Sequence, residues 1–80
     1  MRFEWDHYKN LSNLTKHGID FEAAKNLWIE DREIIIGKYQ EKLWTAIFTL
    51  RGDAIRIISV RRARRKEAKL YDKEKDGKNY

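Results

Sequence analysis

Cysteine and proline are absent from the 80-residue chain. Without cysteine, neither disulfides nor a thiolate metal site can fasten the fold, and the composition suits a reducing compartment. No proline-rich linker and no repeat divides a chain this short. One domain is therefore expected over residues 1–72, with a loose charged tail at residues 73–80. Long apolar runs are also missing: Ile34-Ile35-Ile36 is as long as they become. Nothing there spans a membrane and no signal peptide is visible, which makes the cytoplasm the default location. Glycine occurs four times, without forming a glycine-rich phosphate loop or a nucleophile elbow. The two histidines have no carboxylate at ligand spacing, so neither a metal site nor a cofactor is expected.

What the chain does have is aromatic area and positive charge. Three Trp, four Tyr and three Phe can supply much of a small core. Lys and Arg outnumber Asp and Glu by 18 to 13, giving a net charge of +5. That excess favours an acidic partner or a nucleic acid. It is concentrated near the end: from Arg61 to Lys69, six of nine residues are Lys or Arg. They follow directly on Ile55-Arg56-Ile57-Ile58-Ser59-Val60, an apolar, β-branched strand pattern. A strand that delivers its chain into a cationic helix gives those charges a rigid mount. Charge alone leaves two readings open, a polyanion surface or an ordinary solvated helix face.

The remaining elements follow from period and punctuation. Arg2-Phe3-Glu4-Trp5 alternates as a short strand. Asp6 is placed to cap a helix with Tyr8, Leu11 and Leu14 on one stripe, ended by Gly18 after His17. Asp20 caps a second helix bearing Phe21, Ala24, Leu27 and Trp28. From Ile34 the period becomes two, predicting a strand over Ile34–Gly37 and a longer one from Leu43 to Leu50. In the longer strand Trp44, Ala46, Phe48 and Leu50 share the core side. Arg51-Gly52-Asp53 forms a hairpin turn, and the strand Ala54–Val60 has apolar residues on both faces, as a central strand does. A last helix is expected from about Arg61 to Tyr71. The order is β-α-α-β-β-β-α, an α+β domain with an antiparallel sheet backed by helices.

If that helix begins at Arg61, then Arg61, Arg65 and Lys69 form one cationic row and Arg62, Lys66 and Lys73 another. Glu67 is open to two roles, an ion pair with Arg64 three residues earlier or a general base beside a bound phosphate. His17 either complements the helix dipole or handles a proton, while His7 is simply exposed. Metal-free RNA cleavage needs little more. A 2′-OH can attack the neighbouring phosphate if one group takes its proton, another protonates the leaving oxygen, and cations hold the developing charge. His17, Glu67 and Tyr71 are the candidate proton-handling groups, with Arg61, Arg62, Arg64 and Arg65 as candidate stabilisers.

Two blocks carry a family resemblance. Phe3-Glu4-Trp5-Asp6, with Lys9, Asn13, Lys16-His17-Gly18-Ile19 and Phe21-Glu22-Ala23-Ala24, resembles the opening of BrnT toxins. Arg51-Gly52-Asp53, Ile55-Arg56-Ile57-Ile58-Ser59, Arg61-Arg62-Ala63, Glu67 and Tyr71 resemble that family's close. The resemblance implies a RelE-like ribonuclease toxin that blocks translation. It also implies a BrnA-type ribbon-helix-helix antitoxin, through which the pair would reach operator DNA. The expected catalytic positions are His17, Arg61, Arg64, Glu67 and Tyr71. RNA is expected to be held by Lys9, Lys16, Arg62, Arg65 and Lys69. The segment around Glu30-Asp31 lacks the family's Asp-Pro and Gly-rich insert, which would reshape one wall of an RNA groove. The alternative reading is a non-catalytic basic domain that binds an acidic partner or nucleic acid.

Overall fold

The computed structural model describes residues 1–29 and 32–77, with side chains as far as Lys73. Strand β1 (Arg2–Trp5) leads into helix α1 (His7–His17), then α2 (Phe21–Ala24), which continues as a 3-10 turn over Lys25–Leu27. Strands β2 (Ile35–Tyr39), β3 (Lys42–Arg51) and β4 (Ala54–Arg62) follow, and helix α3 (Arg65–Gly77) ends the described chain. The expected element order is what is found. Glu30 and Asp31, the segment where the resemblance implies a missing insert, lie outside the described residues.

The helix boundaries follow from the caps. Asp6 accepts from the Lys9 N–H at 3.0 Å and Asp20 from the Ala23 N–H at 2.9 Å, each satisfying a donor that the first turn leaves unpaired. The Lys9 N–H is also the main reason the Asp6 carboxyl titrates below its usual range. Gly18, at φ 78°, closes α1 in the left-handed region and donates its N–H to Leu14.

The sheet order is β1-β4-β3-β2. Hairpins join β2 to β3 and β3 to β4, so these three strands run antiparallel. β1 joins the far edge parallel to β4, with Phe3 opposite Ile55 and Trp5 opposite Ile57, so the sheet is mixed at one edge. β4 is central over that stretch, as its two apolar faces predict. A bulge between Ile47 and Phe48 leaves Ile58 without an opposite residue.

One sheet face packs on α2 and the 3-10 turn. Phe21, Ala24, Leu27, Ile35, Trp44, Ala46, Ile57 and Val60 are buried there. Each fully buried large apolar side chain contributes roughly 1.5–3 kcal/mol. Trp28 meets Phe3 and Phe48 edge-on, at centroid distances of 5.1 and 5.0 Å, tying β1 to β3. Leu50, expected on this core side, is 71% exposed because the hairpin tip projects beyond the helices. β2 crosses very close to the 3-10 turn at Gly37, where an added Cβ would lie 3.0 Å from Leu27 Cα, a backbone atom that cannot swing away. Gly37→Ala should therefore cost about 1–3 kcal/mol, read as a lower urea midpoint with an unchanged m-value.

The last helix starts later than charge and period suggest. Arg61 pairs with Thr45 and Arg62 with Trp44 in the β3–β4 ladder, and the Ala63 N–H donates to Leu43 at 2.9 Å. Those backbone groups are satisfied by β3, so the chain stays extended until Arg65. The two predicted cationic rows are not formed, because Arg61 and Arg62 sit on a strand and point to opposite faces. Arg65, Lys69 and Lys73 keep their helical spacing. The helix also runs on to Gly77, past its expected end at Tyr71, so residues 73–77 of the expected tail have helical backbone. Residues 78–80 lie outside the described residues.

α1 is turned inside out relative to its apolar stripe. Asn13 is 5% exposed while Tyr8, Leu11 and Leu14 are 79%, 48% and 46% exposed. The cause is the edge of β4. β1 pairs only with Ala54–Ile57, which leaves the outer N–H and C=O of Val60 without a ladder partner. Asn13 takes that place, accepting from the Val60 N–H at 3.0 Å and donating to its carbonyl at 2.9 Å. Its second N–H reaches Ile19 O at 2.9 Å, and its oxygen also accepts from Ser59 Oγ at 3.3 Å. Asn10, one turn earlier, accepts from the Phe21 N–H at 2.7 Å. Asn13→Leu keeps the bulk but strands the Val60 backbone groups and Ile19 O. It should cost about 2–3 kcal/mol in chemical denaturation.

Candidate functional site

The second sheet face carries α3 and a polar clasp. β4 and β3 present Arg61 and Thr45 side by side, and α3 brings Glu67 down between them. Glu67 meets the Arg61 guanidinium fork-to-fork, with both N–O distances 2.8 Å. Its Oε1 also accepts from Thr45 Oγ1 at 3.0 Å and from the Arg64 N–H at 2.7 Å. The last of these is half of a capping box: the third residue of the helix satisfies the amide of the residue before it. The side chains of Arg61 and Glu67 are only 20% and 14% exposed, and Thr45 is buried. The Arg61 hydrogen bonds hold the Glu67 carboxyl down at about 2, and the Arg64 N–H and Thr45 hydroxyl add to the effect against the opposing pull of burial. The guanidinium holds its own proton more firmly for the same reason. The expected ion pair of Glu67 with Arg64 is thus replaced by one with Arg61, and Arg64 contributes only its backbone amide.

A second cluster lies along the β4 edge. Lys9, Ser12, Asn13, Lys16 and His17 from α1 line an open cleft with Ile58 and Ser59, about 220 Å³ in volume. α1 is held there by the Asn13 contacts, and Asp6 and Gly18 fix its two ends, so the helix fixes where His17 and Lys16 sit. Ser59 belongs to both regions. It lines the cleft and shares the second face with Arg61, two residues on and so roughly 7 Å along the strand. His17, Lys16 and Lys9 thus lie to one side of Ser59 and Arg61 to the other, where Arg61 lines a second cleft with Glu67, Thr45 and Ile34.

The other expected site residues fall elsewhere. Tyr71 lines an apolar groove with Leu70, Ile34, Ile36 and Leu27, one turn beyond Glu67 and away from the histidine cleft. Arg62 faces the opposite side of the sheet, its guanidinium 5.7 Å over the Trp44 ring, a cation–π contact. Arg64, Arg65 and Lys69 are exposed. Sequence reasoning overlooked Thr45, Ser12 and Ser59, and gave Asn13 no place in the site. Asn13 and Ser59 stood in the motif blocks, while Thr45 and Ser12 left no local signal. Among the described residues, no three His, Cys, Asp or Glu side chains converge, and no helix is long and apolar enough to cross a membrane.

Comparison with known proteins identifies the family. The family model described as the ribonuclease toxin BrnT of type II toxin–antitoxin systems matches residues 5–67, which include the whole α1–β4 cleft, Arg61 and Glu67 but not Lys69 or Tyr71. No curated protein matches the chain. Among solved structures, the chain is similar to the Brucella abortus ribonuclease toxin BrnT at 26% identity and a TM-score of 0.57, over 81% of this chain and 99% of that one. The resemblance seen in the two motif blocks is borne out: the chain belongs to the BrnT family of ribonuclease toxins of type II toxin–antitoxin systems.

Proposed function

We propose that this chain cleaves RNA without a metal ion, so blocking translation, and that a BrnA-type ribbon-helix-helix antitoxin neutralises it and carries the pair to operator DNA. The observation that carries the reading is the shared surface at Ser59, with His17, Lys9 and Lys16 on one side and the clasped Arg61 on the other. A phosphodiester lying across Ser59 puts its 2′-OH within the cleft. His17 takes the 2′-OH proton as that oxygen bonds to phosphorus. The bond from phosphorus to the 5′-oxygen breaks, and an ammonium of Lys9 or Lys16 protonates the departing oxygen. The products are a 2′,3′-cyclic phosphate and a free 5′-OH. Arg61 faces the developing charge on the phosphate, and Glu67 fixes its orientation.

Three of the expected catalytic residues have no chemical step in this scheme, and of these Arg64 supplies only its backbone amide, to Glu67. Glu67 is a poor general base, since Oε1 already accepts three hydrogen bonds and its carboxyl stays ionised down to about 2. It acts as the positioning residue for Arg61. Tyr71 lies in the apolar groove, and this scheme assigns it no proton to move.

The test is incubation of the purified chain with single-stranded RNA in EDTA. Fragments ending in 2′,3′-cyclic phosphate support the proposal, as does growth arrest on induction that is relieved by the product of the adjacent reading frame. Cleavage only after Mg²⁺ or Mn²⁺ is added overturns metal independence. RNA that is bound, in a salt-sensitive way, yet left intact points to the non-catalytic basic domain instead.

A further inference from the structure

The cleft that Arg61 borders runs on, away from Ser59, to a carboxylate that the fold leaves unused. Glu33 lines it together with Ile34, Thr45, Ile47 and the Arg61–Glu67 clasp, around a volume of about 220 Å³. That is below the roughly 300–1,000 Å³ of a pocket that encloses a drug-sized ligand, and it suits one flat ring system. Ile34 and Ile47 are 46% and 41% exposed, so the cleft offers aliphatic walls that a planar face can cover. Glu33 is exposed and, among the described residues, has neither a hydrogen-bond nor an ion-pair partner. A free carboxylate beside a phosphate-binding arginine repels a second phosphate. It is acceptor-only, so what it takes is a group that presents N–H or O–H donors. Unstacked RNA bases present such donors on their Watson–Crick edges.

We propose that this cleft holds the base next to the scissile phosphate and that Glu33 selects guanine there, which deepens the ribonuclease reading above and rests on it. With the phosphate against Arg61, the base of the adjoining nucleotide lies between Ile34 and Ile47. Guanine alone among the four bases sets two donors side by side on that edge, N1–H and the 2-amino group, to match both carboxylate oxygens. Adenine and cytosine place a ring-nitrogen acceptor beside the amino group, and uracil flanks its single N–H with two carbonyl oxygens. Those acceptors face the lone pairs of the carboxylate, so the residue that favours guanine also opposes the other three. Glu33 touches the base and moves no proton.

The experiment uses the purified full chain and uridine oligonucleotides that carry one guanosine, adenosine or cytidine at the centre. The bond beside guanosine should be cut about tenfold faster than the bond beside adenosine or cytidine, the low end of what a bidentate base contact provides, because the cleft is open. Glu33→Gln replaces one acceptor oxygen by a donor, which fits the adenine and cytosine edges instead. The ratio should then fall to about one or reverse, while Tm holds because the position is on the surface. The same oligonucleotides with 2′-O-methyl sugars cannot be cut, and their affinities, read by fluorescence anisotropy, should rank in the same order. Equal rates and equal affinities for the three bases overturn the subsite. A guanine preference that survives Glu33→Gln overturns the assignment to Glu33. RNA left intact while the affinity order is still seen ends the ribonuclease reading and keeps the base site, and cleavage without any order does the reverse. A wild-type chain that neither binds nor cuts RNA overturns both.

Discussion

Glu67→Ala should lower the folding stability by about 3–4 kcal/mol, as breaking one side of a mostly buried ion pair does. Three groups lose their acceptor together: the guanidinium of Arg61, the buried Thr45 hydroxyl, and the Arg64 N–H that begins α3. The Arg61 charge is held against the sheet by its strand and cannot follow water without distorting β4. Glu67→Gln separates charge from hydrogen bonding, because an amide oxygen still accepts from Thr45 and the Arg64 amide. Its expected cost is about half that of the alanine.

Acid provides an independent check. The carboxyl is moved from 4.5 to about 2, chiefly by hydrogen bonds from Arg61, so the folded state takes up the proton less readily than the unfolded chain. The resulting stability, on the order of 3 kcal/mol, is fully present above 4.5 and disappears as pH falls through about 2. Urea midpoints measured from pH 6 down to pH 2 should therefore fall more steeply for the wild type than for Glu67→Gln, and the two curves should converge at the acid end. Parallel curves would show that Glu67 holds no depressed proton affinity in the fold. Far-UV circular dichroism of Glu67→Ala would further show loss at α3 before loss of the sheet.

What could be read from the chain alone divides along the reach of each interaction. The caps at Asp6, Asp20 and Gly18 act over three or four residues, and all three were legible. The turn at Gly52 and the central place of β4 were also legible, since a local pattern of β-branched residues bounded by a tight turn specifies them. The start of α3 was not. Arg61-Arg62-Ala63-Arg64 has nothing locally extended about it, and it remains in a strand because Thr45 and Trp44 bring a partner ladder from earlier in the chain. The orientation of α1 failed for the same reason at longer range. Asn13 turns inward to satisfy Val60, 47 residues later, and that demand is invisible in the Tyr8-Leu11-Leu14 spacing. The candidate site was half legible. The motif blocks contained His17, Lys16, Arg61 and Glu67, but only the fold shows that Glu67 belongs to Arg61 and that Tyr71 lines the apolar groove.

His17→Ala should reduce RNA cleavage about 10²–10⁴-fold, the contribution ordinarily made by a positioned general acid or base. The argument is geometric. Among the described residues, His17 is the histidine that borders the cleft, at the end of a helix anchored by Asn13 and closed by Gly18. The substitution is at an exposed position in the last turn of α1, so stability should change by less than about 0.5 kcal/mol, and lost activity cannot be ascribed to unfolding. kcat and KM separate the roles around it. If His17 moves a proton, kcat falls while KM holds, because the ground-state complex is kept by cations. Lys16→Ala should raise KM and flatten its dependence on salt as one phosphate contact is lost, with a fall in kcat as well where its ammonium, rather than that of Lys9, protonates the departing oxygen. Arg61→Ala should lower kcat and also destabilise the fold, since the clasp fails with it. A loss in Arg61→Ala that stabilising osmolytes restore would mark the clasp as structural only, whereas a loss that persists in a fully folded sample puts the guanidinium beside the reacting phosphate. The result that would overturn the acid–base role is plain: His17→Ala cutting RNA at the wild-type rate. Growth on induction offers the same reading in cells, where His17→Ala should be tolerated at expression levels at which the wild-type chain arrests division.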